Sequence, residues 1–178
     1  MKFILWLIMK LRRIWTAIFE FYMIRKLRLS KEEIQATKRL LFEFQNSITS
    51  IESYGKNLQN LKSEYPWVSD PRRGLIDWSP SLKNLHVFFC HRSSRDCDDF
   101  ASLAYHTLRL KVKDYEITEW CIFVDKKVRK SHMIITARKK GIDNWYIFDN
   151  HNTYTSTRLI REEFDARYGC DGRYAKYR

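Results

Sequence analysis

No run of eighteen uncharged residues occurs in this 178-residue chain, and the uncharged stretch ahead of Lys10 is only seven residues long. A helix that spans a bilayer needs about 20 apolar residues, so a transmembrane segment is excluded. No small-residue cleavage site follows the opening stretch, so it does not read as a secretory signal. Cysteine is sparse as well. Cys90, Cys97, Cys121 and Cys170 show no paired spacing, which leaves no disulfide framework and makes a reduced, cytoplasmic setting the expectation. Zinc at His86, Cys90, His91 and Cys97 is not the expectation either, since their spacing matches no C-x-x-C or H-x-x-x-H pair and zinc would take up the Cys97 thiol. Prolines number three, all between residues 66 and 80, and YPWVSDPRRG is the clearest boundary in the chain. There is no internal repeat and no low-complexity run.

Acidic residues are outnumbered, 21 against 33 Lys+Arg, for a net charge of +12. The excess is uneven, because residues 1–62 hold 12 basic and 5 acidic residues, net +7, and the remainder holds +5. KKVRK at 126–130 and RKK at 138–140 read as solvated loops. With interleaved Trp and Tyr they keep nucleic-acid binding in view as a rival function, although no RNA- or DNA-binding motif accompanies them. At 44% hydrophobic, the chain can bury one real core.

The informative segment is RDCDDFASLAYHTL. Asp96 suits a helix N-cap, Asp99 falls at the capping-box position, and Phe100, Leu103, Ala104, Thr107 and Leu108 recur at helical spacing. Cys97 then lies in the first turn, where unpaired N–H groups and the helix dipole favour a thiolate and could hold an oxyanion. Asp96, Asp98 and Asp99 oppose that by placing like charge beside the thiol. Arg92, Arg95, a protonated His132 or a bound cation would offset them. Failing that, Asp98 and Asp99 would simply decorate the exposed side of a helix N-terminus.

Downstream, SHMIITA and NWYIFDN read as strands joined by RKKGID, with Gly141 as the turn signal. A tight turn centred on Lys140 and Gly141 sets Lys139 opposite Ile142, Thr136 opposite Trp145 and His132 opposite Asp149. Cross-strand neighbours share a face, so the carboxylate would hold the imidazole in one tautomer. Nucleophile, base and orienting group are then all present for thiol catalysis. His106 and His151 read as structural or surface groups.

These three boxes, DCDDFASLAYHTLR, SHMIITAR and NWYIFDN, resemble in order the Cys, His and Asp boxes of the bacterial transglutaminase-like cysteine peptidases, of the papain-like transglutaminase superfamily. The likeness covers roughly residues 75–152. It implies an α+β, papain-like or transglutaminase-like fold, with N-terminal helices and a central Cys-bearing helix packed on an antiparallel sheet. It maps Cys97, His132 and Asp149 onto the triad, and Asp96 and Asp98 onto carboxylates that some members use for calcium; no cofactor is required. Trp78, in DWSP, is similar to a Trp-Pro element ahead of the cysteine and is a candidate for the substrate cleft. Two positions depart from the pattern: Arg95 stands where a glycine is usual, and VFFCHRSSR lengthens the approach from Trp78.

Ahead of this domain, assigned to residues 66–178, lies a helical region, 1–65. Within it, residues 2–28 form a basic amphipathic helix with Ile4, Leu7, Ile8, Leu11, Ile14, Trp15, Ile18 and Tyr22 on one face. Such a stripe fits attachment to an anionic membrane surface, and equally packing on protein. Residues 31–65 read as one long helix or two, with Ser30 as N-cap, Glu33 at N3 and a break expected at Gly55. YEITEWCIFVD reads as the first strand, and the tail from Tyr154 as a short helix around TRLIREEFDARY followed by a polar segment. The expected activity is thiol-dependent hydrolysis of a peptide or amide bond in a protein or peptide substrate, with acyl transfer to an amine using the same parts. The rival readings are a catalytically silent protein that binds a partner or membrane, and the nucleic-acid binder.

Overall fold

The computed structural model describes residues 29–66, 68, 85, 96–127, 131–150 and 152–178, together with Leu7, Lys10, Leu11, Ile14, Ile18, Phe21 and Tyr22 near the N-terminus. The described residues make an α+β fold in which four bounded helices accompany a five-stranded antiparallel sheet. Helix α1, Lys31–Ser47, starts on the expected capping box. The Ser30 hydroxyl takes the N–H of Glu33 and the Glu33 carboxylate takes the N–H of Ser30, both at 3.1 Å. The expected break at Gly55 is corrected: the chain leaves the helix at Ile48, and α2, Ile51–Glu64, restarts on Ser50, whose hydroxyl accepts from the N–H of Ser53. Gly55 lies within α2 and serves close packing, since a Cβ there would stand 3.0 Å from Thr153 Oγ1.

After α3, Cys97–Lys111, come β1, Tyr115–Phe123; β2, Ser131–Lys139; β3, Trp145–Asp149; and β4, Asn152–Ser156. Helix α4, Ile160–Tyr168, and β5, Tyr174–Lys176, complete the chain. The sheet order is β4-β3-β2-β1-β5. Strands β4 and β5 are absent from the expectation for the tail. The polar sequence NTYTS and a three-residue strand carry little apolar alternation, and both strands lie on sheet edges. Between β3 and β4, Asn150 takes a left-handed φ of +53°, a conformation Asn tolerates in a two-residue hairpin turn.

Side-chain alternation divides the core in two. Cys121, Phe123, Met133, Ile135 and Phe148 pack with α1, α2 and α3, whereas Ile122, Ile134 and Ile147 pack with Phe164 and Tyr168 of α4. Leu41, Phe44, Tyr54 and Leu58 belong to the same cluster as Phe100 and Phe148, so α1 and α2 share one core with the sheet.

Tyr54 is fully buried between Phe44 and Phe148, edge-on to both, and its hydroxyl has no hydrogen-bond partner among the described residues. A buried orphan hydroxyl costs about 1–3 kcal/mol. Tyr54→Phe, which keeps the ring contacts, is expected to raise stability by about 1 kcal/mol, or about 2–4 °C in Tm, read by thermal and urea unfolding.

Candidate active site

Helix α3 carries the candidate nucleophile. Asp96 is its N-cap, as its sequence predicts, and accepts from the N–H of Asp98 at 3.4 Å. Phe100, Leu103, Ala104, Thr107 and Leu108 are all buried, so the predicted stripe is the packing face. A three-residue link, 112–114, joins α3 to β1, and the helix packs on β1 and β2. Fifteen helical residues rise about 22 Å, and the strand from Tyr115 to Ile122 rises about 24 Å. A helix turned straight back along that strand would bring its N-terminus level with Ile122, which pairs directly with His132. Cys97 belongs to the core on the α3 face, while His132 shares the face of Ile122. Thiol and imidazole therefore belong to opposite faces of the sheet.

His132 and Asp149 are in contact, with Nε2 and Oδ1 2.6 Å apart and both side chains less than one-fifth exposed. The register that joins them differs from the predicted one. The turn forms as expected, with the Ile142 N–H donating to the Lys139 carbonyl at 3.1 Å. Asp143 and Asn144 then stand outside the ladder, so Arg138 pairs with Trp145 and Thr136 with Ile147. Extending this register sets Asp149 level with Ile134, diagonal to His132. A slip of two residues keeps every side chain on its face, where a slip of one would have turned Asp149 away. Diagonal partners sit about 7–8 Å apart, within reach of long side chains.

Two residues that the sequence reading missed complete this cluster. Tyr168 and Tyr154 donate to Asp149 Oδ2 at 2.8 and 3.0 Å, and their hydroxyls lie 2.8 Å from one another. With one proton on each hydroxyl, Oδ2 receives either both bonds or one relayed through the other tyrosine. The signal for Tyr168 was the spacing Ile160, Phe164, Tyr168 on one helix face; Tyr154 sits on the unrecognised β4. The Tyr168 ring lies 5.7 Å from His132, and the Arg167 guanidinium covers Tyr154 at 3.8 Å. Burial pushes the Asp149 carboxyl up, but the hydrogen bond and charge of His132, with the bonds from Tyr168 and Tyr154, outweigh it and hold Asp149 below the usual range. Tyr168 and Tyr154 are both raised, first by burial and then by the Asp149 charge, so they remain donors. Because Asp149 is ionised, the proton between it and His132 sits on Nε2. Nδ1 of a neutral imidazole is then the basic nitrogen.

Asp96, Asp98 and Asp99 are all buried, which corrects the reading of Asp98 and Asp99 as exposed decoration. Burial, followed by the charge of Asp96 and a hydrogen bond to it, pushes Asp98 well above the carboxylate range and so toward its neutral form. Ligand atoms of Asp96, Cys97 and Asp98 lie within 4.8 Å of one another. Two carboxylates and a soft sulfur from three consecutive residues do not fit calcium, which takes six to eight oxygens. A proton on Asp98 relieves the crowding instead. A group raised on folding stabilises the protein fully below about pH 3.9, and that contribution is lost as pH rises through its folded value. Asp98→Asn is therefore expected to be more stable than the parent at pH 7 and not at pH 4, as read by urea unfolding at both.

Trp78, Cys90, His86, His91 and His151 lie outside the described residues. His106 sits within α3, its Nε2 3.4 Å from an Arg178 nitrogen. Of the N-terminal stripe, Leu7, Leu11, Ile14, Ile18 and Tyr22 are helical and 43–59% exposed. No helix among the described residues is long and apolar enough to cross a membrane. A scan of family models and searches of curated proteins and solved structures match nothing to this chain.

Proposed function

We propose that the chain is a thiol-dependent hydrolase of peptide or amide bonds in a transglutaminase-like arrangement, with Cys97 as nucleophile, His132 as base and acid, and Asp149 as the orienting group. The observation that carries this reading is the His132–Asp149 bond at 2.6 Å; it is supported by the packing of α3, with Cys97 in its first turn, on the strand that bears His132. In this scheme His132 Nδ1 takes the Cys97 Sγ proton as sulfur attacks the carbonyl carbon, and the first-turn N–H groups of α3 hold the oxyanion. His132 then protonates the leaving nitrogen, the C–N bond breaks, and water, activated by the same imidazole, hydrolyses the thioester. An amine in place of that water gives acyl transfer.

The burial of Cys97 beside three carboxylates favours the rival reading, a silent binder. Alkylation separates the two. Under the hydrolase reading, limiting iodoacetamide modifies Cys97 ahead of Cys90, Cys121 and Cys170, the last two fully buried, and His132→Ala slows that reaction. Equal, slow labelling of all four overturns it.

The exposure of Leu7, Leu11, Ile14, Ile18 and Tyr22 supports a second part of the reading, peripheral attachment of a cytoplasmic protein to anionic membrane. Residues 1–28 hold seven Lys+Arg and one Glu, and surface attraction is about 1 kcal/mol per basic residue. Binding to phosphatidylserine vesicles is expected to fall with salt and to vanish on deletion of residues 2–28, with the remaining domain still folded by circular dichroism.

A further inference from the structure

A groove of about 470 Å³ opens at the opposite end of α3 from Cys97, between that helix's last turn, the start of β1 and the end of β5. Arg109 is twelve residues from Cys97, about 18 Å along the helix axis, so the groove is separate from the site above and stands independently of the hydrolase reading. Its lining is cationic and aromatic: Arg109, Lys113, Lys176 and Arg178 surround Tyr105 and Tyr115. Glu116 is the single acidic side chain in the lining, and it pairs with Arg138 at 3.5 Å. Arg178 is balanced by the buried Glu119. Arg109, Lys113 and Lys176 have no carboxylate partner among the described residues, and all three are exposed.

The side chains are arranged as well as charged. Arg109 donates to the Tyr105 hydroxyl at 2.6 Å, and the Arg109 and Arg178 guanidinium carbons lie 5.3 and 5.0 Å from the Tyr105 ring centre. Held this way, Arg109 keeps further N–H donors in a fork suited to phosphate oxygens. The positive field has a nearby reporter: burial, then Arg178 and Arg109, depress His106 to about 4. Arg109 and Lys111 already complement the negative end of the α3 dipole; Lys113 and Lys176 add charge beyond that.

We infer that this groove binds a compound carrying two or more linked phosphates, either inorganic polyphosphate or a nucleotide whose base packs on Tyr115. The volume suits a small ligand, and three unneutralised cations match a polyanion.

Calorimetry on the full chain with tripolyphosphate, ATP and adenosine tests this. Tripolyphosphate and ATP are expected to bind at one site, more weakly as salt rises, and adenosine not at all. ATP binding tighter than tripolyphosphate identifies a nucleotide, and equal affinities identify the inorganic anion. Lys113→Ala with Lys176→Ala, both exposed positions, is expected to weaken binding about tenfold with unchanged thermal unfolding, and bound tripolyphosphate should raise the His106 midpoint seen by NMR. Absent heat, or affinity unaltered by the double substitution, overturns the proposal. So does a short oligonucleotide that binds more tightly and is not displaced by tripolyphosphate.

Discussion

Cys97→Ala is expected to abolish turnover, by about 10³-fold or more, and Asp149→Asn to cost about one to three orders of magnitude with the fold intact. The second effect is the more telling. An amide at 149 has two settings. With its oxygen toward His132, Nε2 keeps its proton and Nδ1 stays basic; with its NH₂ toward His132, the tautomer reverses and the base is lost. The Tyr154 and Tyr168 hydroxyls, which lie against Oδ2, accept hydrogen bonds as readily as they donate them. They would therefore hold the NH₂ group and leave the oxygen on His132. What Asp149→Asn removes is the negative charge that stabilises the imidazolium formed as the thiol loses its proton, and a neighbouring opposite charge shifts such an equilibrium by about 1–3 pH units. Turnover of a peptide amide by parent and variants, with circular dichroism as the folding check, measures this. Asp149→Asn with full activity would remove the orienting role.

Arg178→Ala is expected to cost about 3–5 kcal/mol of stability, as is usual when one partner of a buried pair is removed. Glu119 is fully buried in β1, and Arg178, four-fifths buried, bonds it, donates to Ser102 Oγ at 3.0 Å and lies over Tyr105. The main chains meet as well: the Glu119 N–H donates to the Arg178 carbonyl at 2.8 Å. Removing the guanidinium leaves a carboxylate in the core without this cation. Replacing the pair together, Glu119→Leu with Arg178→Met, is expected to recover most of the loss, because an apolar pair of similar volume carries no desolvation cost. Urea unfolding of the parent, single and double variants checks both parts.

How far the sequence was legible depended on the kind of signal. Capping chemistry was legible at Ser30, Glu33 and Asp96 because groups two or three residues apart decide it locally. The α3 stripe was legible because one helix face is wholly buried. The His132–Asp149 pairing was legible in its parity and illegible in its count. Lys140-Gly141 announces the turn, but nothing local says that Asp143 and Asn144 leave the ladder. Tyr54 and Gly55 take their character from Phe148 and Thr153, nearly a hundred residues later, and such contacts leave no periodic trace. The burial of Asp98 was hidden for a related reason: carboxylates in a first helical turn are ordinarily solvated, and only the packing of α3 against the sheet encloses these.

The order of strands has a consequence for how the molecule assembles. β1, β2, β3 and β4 follow one another through short connections and each pairs with the strand before it, so the meander can zip up in the order of synthesis. β5 is different: Tyr174 must find Ile122 across some fifty residues, with α4 in between. Closing that longer loop costs more chain entropy and comes late. The last strand is thus expected to lock onto a sheet already formed, and to be the first to let go when the protein opens, with its amides exchanging ahead of those in β2.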